Sequence, residues 1–181
     1  DSMVICRESS ADGKNFPRVL LVGGQPNLFD GPYLNTRDPM LLRFGGLWVC
    51  YYTGSQLQPP YYGAVFCRTS ADRKYWSEPL FVSAGGLASS PATPFDAECP
   101  FVVERNGYHY LFRNQIYGPL ALNTQYASRD PFNFGVGHDR YRIGTLPVAA
   151  PEIVVHDGQY YIAALNPNLD GIRVAKLHWG P

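Results

Sequence analysis

The sequence predicts an all-β chain assembled from repeated four-stranded antiparallel units. Three observations carry that expectation. Aromatic residues reach 14% while charged residues stay at 17%, and the 181 residues include 18 glycines and 16 prolines, a mixture that suits many short strands joined by turns. A proline-to-glycine spacing recurs three times along the chain. No segment carries an apolar stripe of helical period with capping residues at its ends.

The recurrent element begins at a proline and meets a glycine seven residues later. It reads "DPMLLRFGGLWVCYYTG" from Asp38, "CPFVVERNGYHYLFRN" from Cys99 and "APEIVVHDGQYYIAALN" from Ala150. In each, a β-branched or apolar run reaches Gly-Gly, Asn-Gly or Asp-Gly and an aromatic-rich run follows. Such dipeptides mark a tight hairpin, because both turn residues need positive φ. A second element, Ser-x-Asp followed by aromatics, recurs at Ser10, Ser70 and Ser128. There the Asp side chain can bond to nearby backbone amides and turn the chain.

In order, the unit is strand, hairpin, strand, loop, strand, Asp turn, strand, which is the blade of a β-propeller. Counting along the chain gives two strands, then four, four and three. Residues 1–23 are expected as a partial blade, 36–84 and 97–144 as full blades, and 149–179 as a partial one. The N-terminal strands are expected to complete the C-terminal three, which closes a tight ring.

Charge and composition narrow the partners. Lys plus Arg equals Asp plus Glu at 15 each, so the basic excess of a nucleic-acid or anionic-membrane binder is missing. Apolar runs are too short for a membrane helix. The N-terminus shows no basic segment followed by an apolar stretch, so no signal peptide is visible and both a cytoplasmic and a secreted location stay open. Cys6, Cys50, Cys67 and Cys99 lack a C-x-x-C spacing and argue against a zinc site. Their even number permits disulfides, although three of them sit in apolar strand-like runs where a free thiol acts as a small hydrophobe.

In a propeller the innermost strands point their first residues at the axis. Asp38 in "RDP" and Glu98 in "ECP" stand at two successive inner strands, 60 residues apart, and two convergent carboxylates are what glycoside hydrolysis uses. Each alone has a plainer reading: Asp before Pro commonly starts a turn, and a Glu at a strand mouth is usually solvated. Glu98 is flanked by Cys99 and Phe101, so partial burial that holds it protonated near neutral pH is expected. Asn114 and Trp48 are candidates for contacts to sugar hydroxyls and a sugar face, and packing accounts for the tryptophan equally well. Glu152 of "APE" stands at the next inner strand but after its proline. The four histidines have no metal-ligand spacing, and no phosphate loop or nucleophile elbow is present. No cofactor or metal is expected.

"NTRDPMLLRFGGLWVCYYTG" and "DAECPFVVERNGYHYLF" resemble blades of the five-bladed propeller glycosidases of families 32, 43 and 68. "SADRKYW" and the closing "APEIVVHDGQYYIAALNPNLDGIRVAKLHW" are similar to later blades of that group. The resemblance implies a glycosidase acting on plant or microbial oligo- or polysaccharides of the fructan, arabinan or xylan type. It implies Glu98 as general acid/base, Asp38 as the carboxylate that stabilises the transition state and tunes the acid, and Arg37 as a binder of sugar hydroxyls. The group's third carboxylate comes from a first blade in an Asp-Pro motif, and nothing upstream of Asp38 matches it. Two readings follow beside the hydrolase: a non-catalytic carbohydrate-binding propeller or degenerate relative without the first-blade carboxylate, and a fragment that functions only within a longer chain or in a homo-oligomer that completes the ring.

Overall fold

A computed structural model describes residues 3–16, 21, 24, 27–89 and 96–180. Thirteen strands run through these residues. β1 (Ile5–Cys6) and β2 (Asn27–Phe29) form a two-stranded sheet. β3 (Asn35–Phe44), β4 (Leu47–Ser55), β5 (Gly63–Ser70) and β6 (Leu80–Ala84) form a meander in that order. β7 (Glu98–Arg105), β8 (Tyr108–Ile116), β9 (Leu122–Ser128) and β10 (Arg142–Leu146) form a second. β11 (Ala149–His156), β12 (Gln159–Leu165) and β13 (Ile172–Lys176) form a three-stranded sheet. Two single 3-10 turns, Gly86–Ala88 and Gly118–Leu120, are the helical segments among the described residues.

Local chemistry explains the repeats. The three hairpins turn at Gly45–Gly46, Asn106–Gly107 and Asp157–Gly158, and all six residues have positive φ, as two-residue turns between right-twisted strands require. At Ser10 and Ser70 the serine hydroxyl accepts two amides, and Asp12 Oδ1 and Asp72 Oδ1 each accept two more at 2.7–3.0 Å. At Ser128 the same turn is made with one amide to each. Of the aromatics that follow, Trp76, Phe132 and Phe134 pack against the core, whereas Phe16 and Tyr75 are exposed.

Burial explains why β4 and β5 read as unbroken apolar runs. Val49 and Tyr51 face the second meander, in a core shared with Val65, Val102, Leu111, Tyr126 and Phe134. Cys50 and Tyr52 point the other way, into a cluster with Phe66, Ile5 and Phe29. A sheet buried on both faces has no need of polar alternation. The last sheet is different: Val154, Val155, Ile172 and Val174 are all more than half exposed. All four cysteines are free thiols.

The structure corrects one expectation. The N-terminal strands do not complete the C-terminal sheet. β1 pairs with β2, and Met3 bridges Asn35 at the start of β3, with the Thr36 amide donating to the Met3 carbonyl at 3.2 Å. The reason is the apolar face of β4 and β5, which Ile5 and Phe29 cover. The strand expected within residues 16–23 lies mostly outside the described residues, and the partner of β1 is the later "NLF" of β2.

Candidate functional site

Three inner strands carry one shared irregularity. In β3 the ladder slips between Arg37 and Met40, in β7 between Glu98 and Phe101, and in β11 between Ala149 and Glu152. In each case two residues, a non-glycine residue and the proline after it, oppose a single partner. Asp38, Cys99 and Ala150 have φ of 56°, 46° and 47°. Proline cannot donate to the ladder, and the left-handed residue before it re-aims the side chains, which is how bulges serve sheet rims and sites.

This register revises the equivalence drawn from sequence. Pro39 and Pro100 are 61 residues apart, so Asp38 corresponds to Cys99, and Arg37 corresponds to Glu98. The two carboxylates stand on adjacent positions of the repeat and share one partner, Arg37.

Side chains from the preceding sheet take up amides that the bulges free from the ladder. Asp38 Oδ2 accepts the Cys99 N–H at 3.1 Å. Asn114 Oδ1 accepts the Ala150 N–H at 2.9 Å. Asn114 is fully buried, opposite Glu98 on β7 and Asn123 on β9, so its carbonyl fastens the next sheet and does not face solvent as a sugar contact would.

Arg37 binds both carboxylates. Its Nε–H donates to Glu98 Oε1 at 3.0 Å, its Nη2 donates to the same oxygen, and Asp38 Oδ2 lies 3.8 Å from Nε. Glu98 is 9% exposed, so the expected burial is met, and its immediate neighbour is a guanidinium in addition to apolar side chains. The approach to Glu98 is pinned as well. Arg113, fully buried, donates Nε–H to the Asp96 carbonyl at 2.8 Å, and the Thr53 hydroxyl donates to the Ala97 carbonyl at 3.0 Å.

A cleft of about 430 Å³ adjoins this cluster, lined by Asp38, Cys99, Phe101, Ala150 and Glu152 among others; neither Arg37 nor Glu98 is in its lining. Glu152 therefore faces the same space as Asp38 despite its place after the proline. Cys99 borders the cleft with its thiol pushed up to about 11, chiefly by burial. Trp48 is elsewhere. It pairs with Arg43 at the hairpin end of β3, whereas Arg37 pairs with Thr53; five residues of strand put it about 16 Å away. Its ring is covered by Arg43 at 5.8 Å and Arg73 at 4.8 Å, a stacked surface arrangement.

Sequence reasoning passed over Tyr117, Thr53 and Arg113. The last two sit in apolar strand runs with no motif to mark them. Tyr117, whose hydroxyl lies 3.4 Å from Cys99 Sγ, is in "IYGP", where Gly and Pro announce only a turn.

No protein-family model matches the chain, and no curated protein matches it by sequence. Solved structures do match. A thermostable family-43 glycoside hydrolase superposes with a TM-score of 0.63 at 14% identity, over 85% of this chain and 58% of that one. A family-32 β-fructofuranosidase of Bombyx mori, solved with sucrose, gives 0.59 at 21% identity, over 86% and 34%. An N-acetylgalactosamine deacetylase of F. plautii, solved with a blood group B trisaccharide, gives 0.64 at 14% identity, over 92% and 55%. The chain thus has the fold of the propeller glycosidases of families 43 and 32, and spans between a third and three-fifths of the length of these structures. A deacetylase is among the structures that share the fold over part of their length, so likeness of fold does not settle the chemistry.

Proposed function

We propose that the chain carries the axial site of a glycosidase-type propeller, with each four-stranded sheet as one blade (36–84 and 97–144), and with the β1–β2 pair, which runs past residue 23 to Phe29, and 149–179 as partial blades. The observation that supports this reading is the single guanidinium of Arg37 shared by Glu98 and Asp38, with Asp38 and Glu152 lining the adjoining cleft. Glu98 is the general acid/base: it protonates the departing glycosidic oxygen and later takes a proton from the attacking water. Asp38 is the carboxylate facing the oxocarbenium-like centre, where a fixed negative charge lowers the barrier. Arg37 keeps the two acids from repelling one another and offers its remaining N–H groups to sugar hydroxyls. The substrates are plant or microbial glycans of the fructan, arabinan or xylan type.

The deciding measurement is turnover of aryl arabinosides, xylosides and fructosides by the wild type and by Glu98→Gln. A loss of about a hundredfold or more is expected, and equal rates remove Glu98 from the role of acid.

A second reading has its own support: a carbohydrate-binding propeller without turnover. Neither Asp38 nor Glu98 supplies the group's third carboxylate, and the other acid that lines the cleft, Glu152, stands outside the group's motif. Binding of arabino- or xylo-oligosaccharides by calorimetry, with no product released, identifies this case. Completion of the ring by a second copy is read from the solution mass, where a stable monomer excludes it.

A further inference from the structure

We propose that Thr53 is a positioning residue for Glu98: its buried hydroxyl ties the peptide group ahead of the acid to the same sheet that holds the acid's carboxylate. The effect on turnover rests on the hydrolase reading above; the effect on the Arg37–Glu98 pair does not.

The first meander holds Glu98 from both sides and at its head. Ahead of it, the Thr53 hydroxyl of β4 donates to the Ala97 carbonyl at 3.0 Å. After it, the Cys99 N–H donates to Asp38 Oδ2 at 3.1 Å. The Glu98 carboxylate itself accepts from Arg37. Thr53 and Arg37 are cross-strand partners in the β3–β4 ladder, and such partners share a face of the sheet. One rung of the first meander thus grips both the carboxylate and the peptide before it. Arg37 and Asp38 bring charge to the site. Thr53 brings none and is fully buried, so its contribution is geometric.

Packing alone does not ask for a hydroxyl at this position. Val49, Tyr51 and Thr53 alternate along β4 toward the second meander, and valine suits a buried strand as well as threonine does. What valine lacks is the donor. Asp96 and Ala97 are fully buried just ahead of β7, where backbone carbonyls need partners. Arg113 donates to the Asp96 carbonyl at 2.8 Å from within the second meander. Thr53 takes the next carbonyl, and it does so from the sheet that carries Arg37. Without that tie the Ala97–Glu98 peptide can rotate, and its rotation swings the Glu98 side chain against the guanidinium. A proton donor that must stay within reach of the leaving oxygen tolerates little of this.

The test uses the full chain with Thr53→Val, which removes the donor, and Thr53→Ser, which keeps it. In Thr53→Val the Arg37 Nε–H, assigned in isotope-edited NMR spectra by its disappearance in Arg37→Lys, is expected to exchange with water about tenfold faster, while the Arg113 Nε–H keeps its rate. Thr53→Ser is expected to stay within about twofold of the wild type. An unchanged Arg37 rate in Thr53→Val, or an equal rise in Thr53→Ser, overturns the role. A matching rise at Arg113 reports general loosening and overturns it too. If Thr53→Val does not fold, Thr53→Ala is read in its place. For turnover, kcat/KM of Thr53→Val is expected to fall about tenfold on alkyl glycosides, whose leaving oxygen needs full protonation. On dinitrophenyl glycosides, which leave with little proton assistance, the fall is expected to stay below about twofold. Equal losses on both substrates overturn the positioning of the acid. A wild type that turns over neither glycoside overturns the hydrolase reading, and the Arg37 exchange rate still decides the role of Thr53.

Discussion

The Asp38 carboxylate and the Cys99 amide meet at 3.1 Å, and through them two pre-proline bulges on neighbouring sheets are fastened together. Asp38 therefore has a structural duty beside any chemical one. Asp38→Asn keeps an acceptor for the amide and is expected to unfold within about 0.5 kcal/mol of the wild type, whereas Asp38→Ala is expected to lose about 1–2 kcal/mol. Urea midpoints compare the two. If hydrolysis uses the negative charge, both variants lose turnover alike, so stability and activity separate in the Asn variant.

Asn114 does for Ala150 what Asp38 does for Cys99. Asn114→Ala leaves a buried amide without its acceptor and a small void, for an expected loss of about 1–3 kcal/mol. Hydrogen exchange locates the effect: the Ala150 amide is expected to exchange faster, while amides in β4 and β5 hold their protection.

The Arg37–Glu98 pair is best examined as a cycle. Arg37→Gln leaves a mostly buried carboxylate without its cation, and about 1–3 kcal/mol of stability is expected to go with it. The double variant Arg37→Gln, Glu98→Gln is expected to recover part of that loss, with a coupling of about 1–2 kcal/mol. Additive losses argue that the two side chains stabilise the fold separately.

His109 gives the fold a pH dependence. It is 2% exposed, edge-on to Phe44 at 4.9 Å, and burial lowers its affinity for a proton below the ordinary value of 6.5. The unfolded chain takes up this proton first as pH falls. Stability is therefore full above about pH 6.5 and declines below it. His109→Phe is expected to abolish that part of the decline, seen as converging unfolding midpoints at pH 7.5 and pH 5.

Trp48 sits at the hairpin end of its sheet under two arginines. Trp48→Ala is expected to leave oligosaccharide affinity within about twofold of the wild type, as measured by calorimetry. A larger loss means that the binding surface extends along the whole of β4.

Much of the architecture can be read directly from residue order, for local reasons. Asn106–Gly107 and Asp157–Gly158 dictate hairpins by their own φ preferences, and Asp12 and Asp72 fold their turns with their own carboxylates. The mouth of the cleft was visible for the same reason, since prolines 39, 100 and 151 mark each inner strand. That Cys99, not Glu98, precedes its proline as Asp38 does is already carried by the spacing of Pro39 and Pro100. What escaped was non-local. No pattern along the chain shows that both ladders slip there and bring Asp38 to the Cys99 amide. The covering of Phe66 and Tyr52 by Ile5 and Phe29 depends on which apolar face lacks a neighbour. Asn114 and Arg113 spend their polar atoms on backbone groups 36 and 17 residues away, a choice that only the assembled sheets determine.

The bulges have one more consequence. Proline and a left-handed neighbour create the kink, yet that neighbour is Asp in one sheet, Cys in the next and Ala in the third. The backbone thus tolerates different side chains at a position that borders the cleft each time. Ala150 is the smallest of them, which makes it a ready socket. Placing an acid there by Ala150→Asp would add a carboxylate to the cleft at a position where the scaffold already accepts one in another sheet.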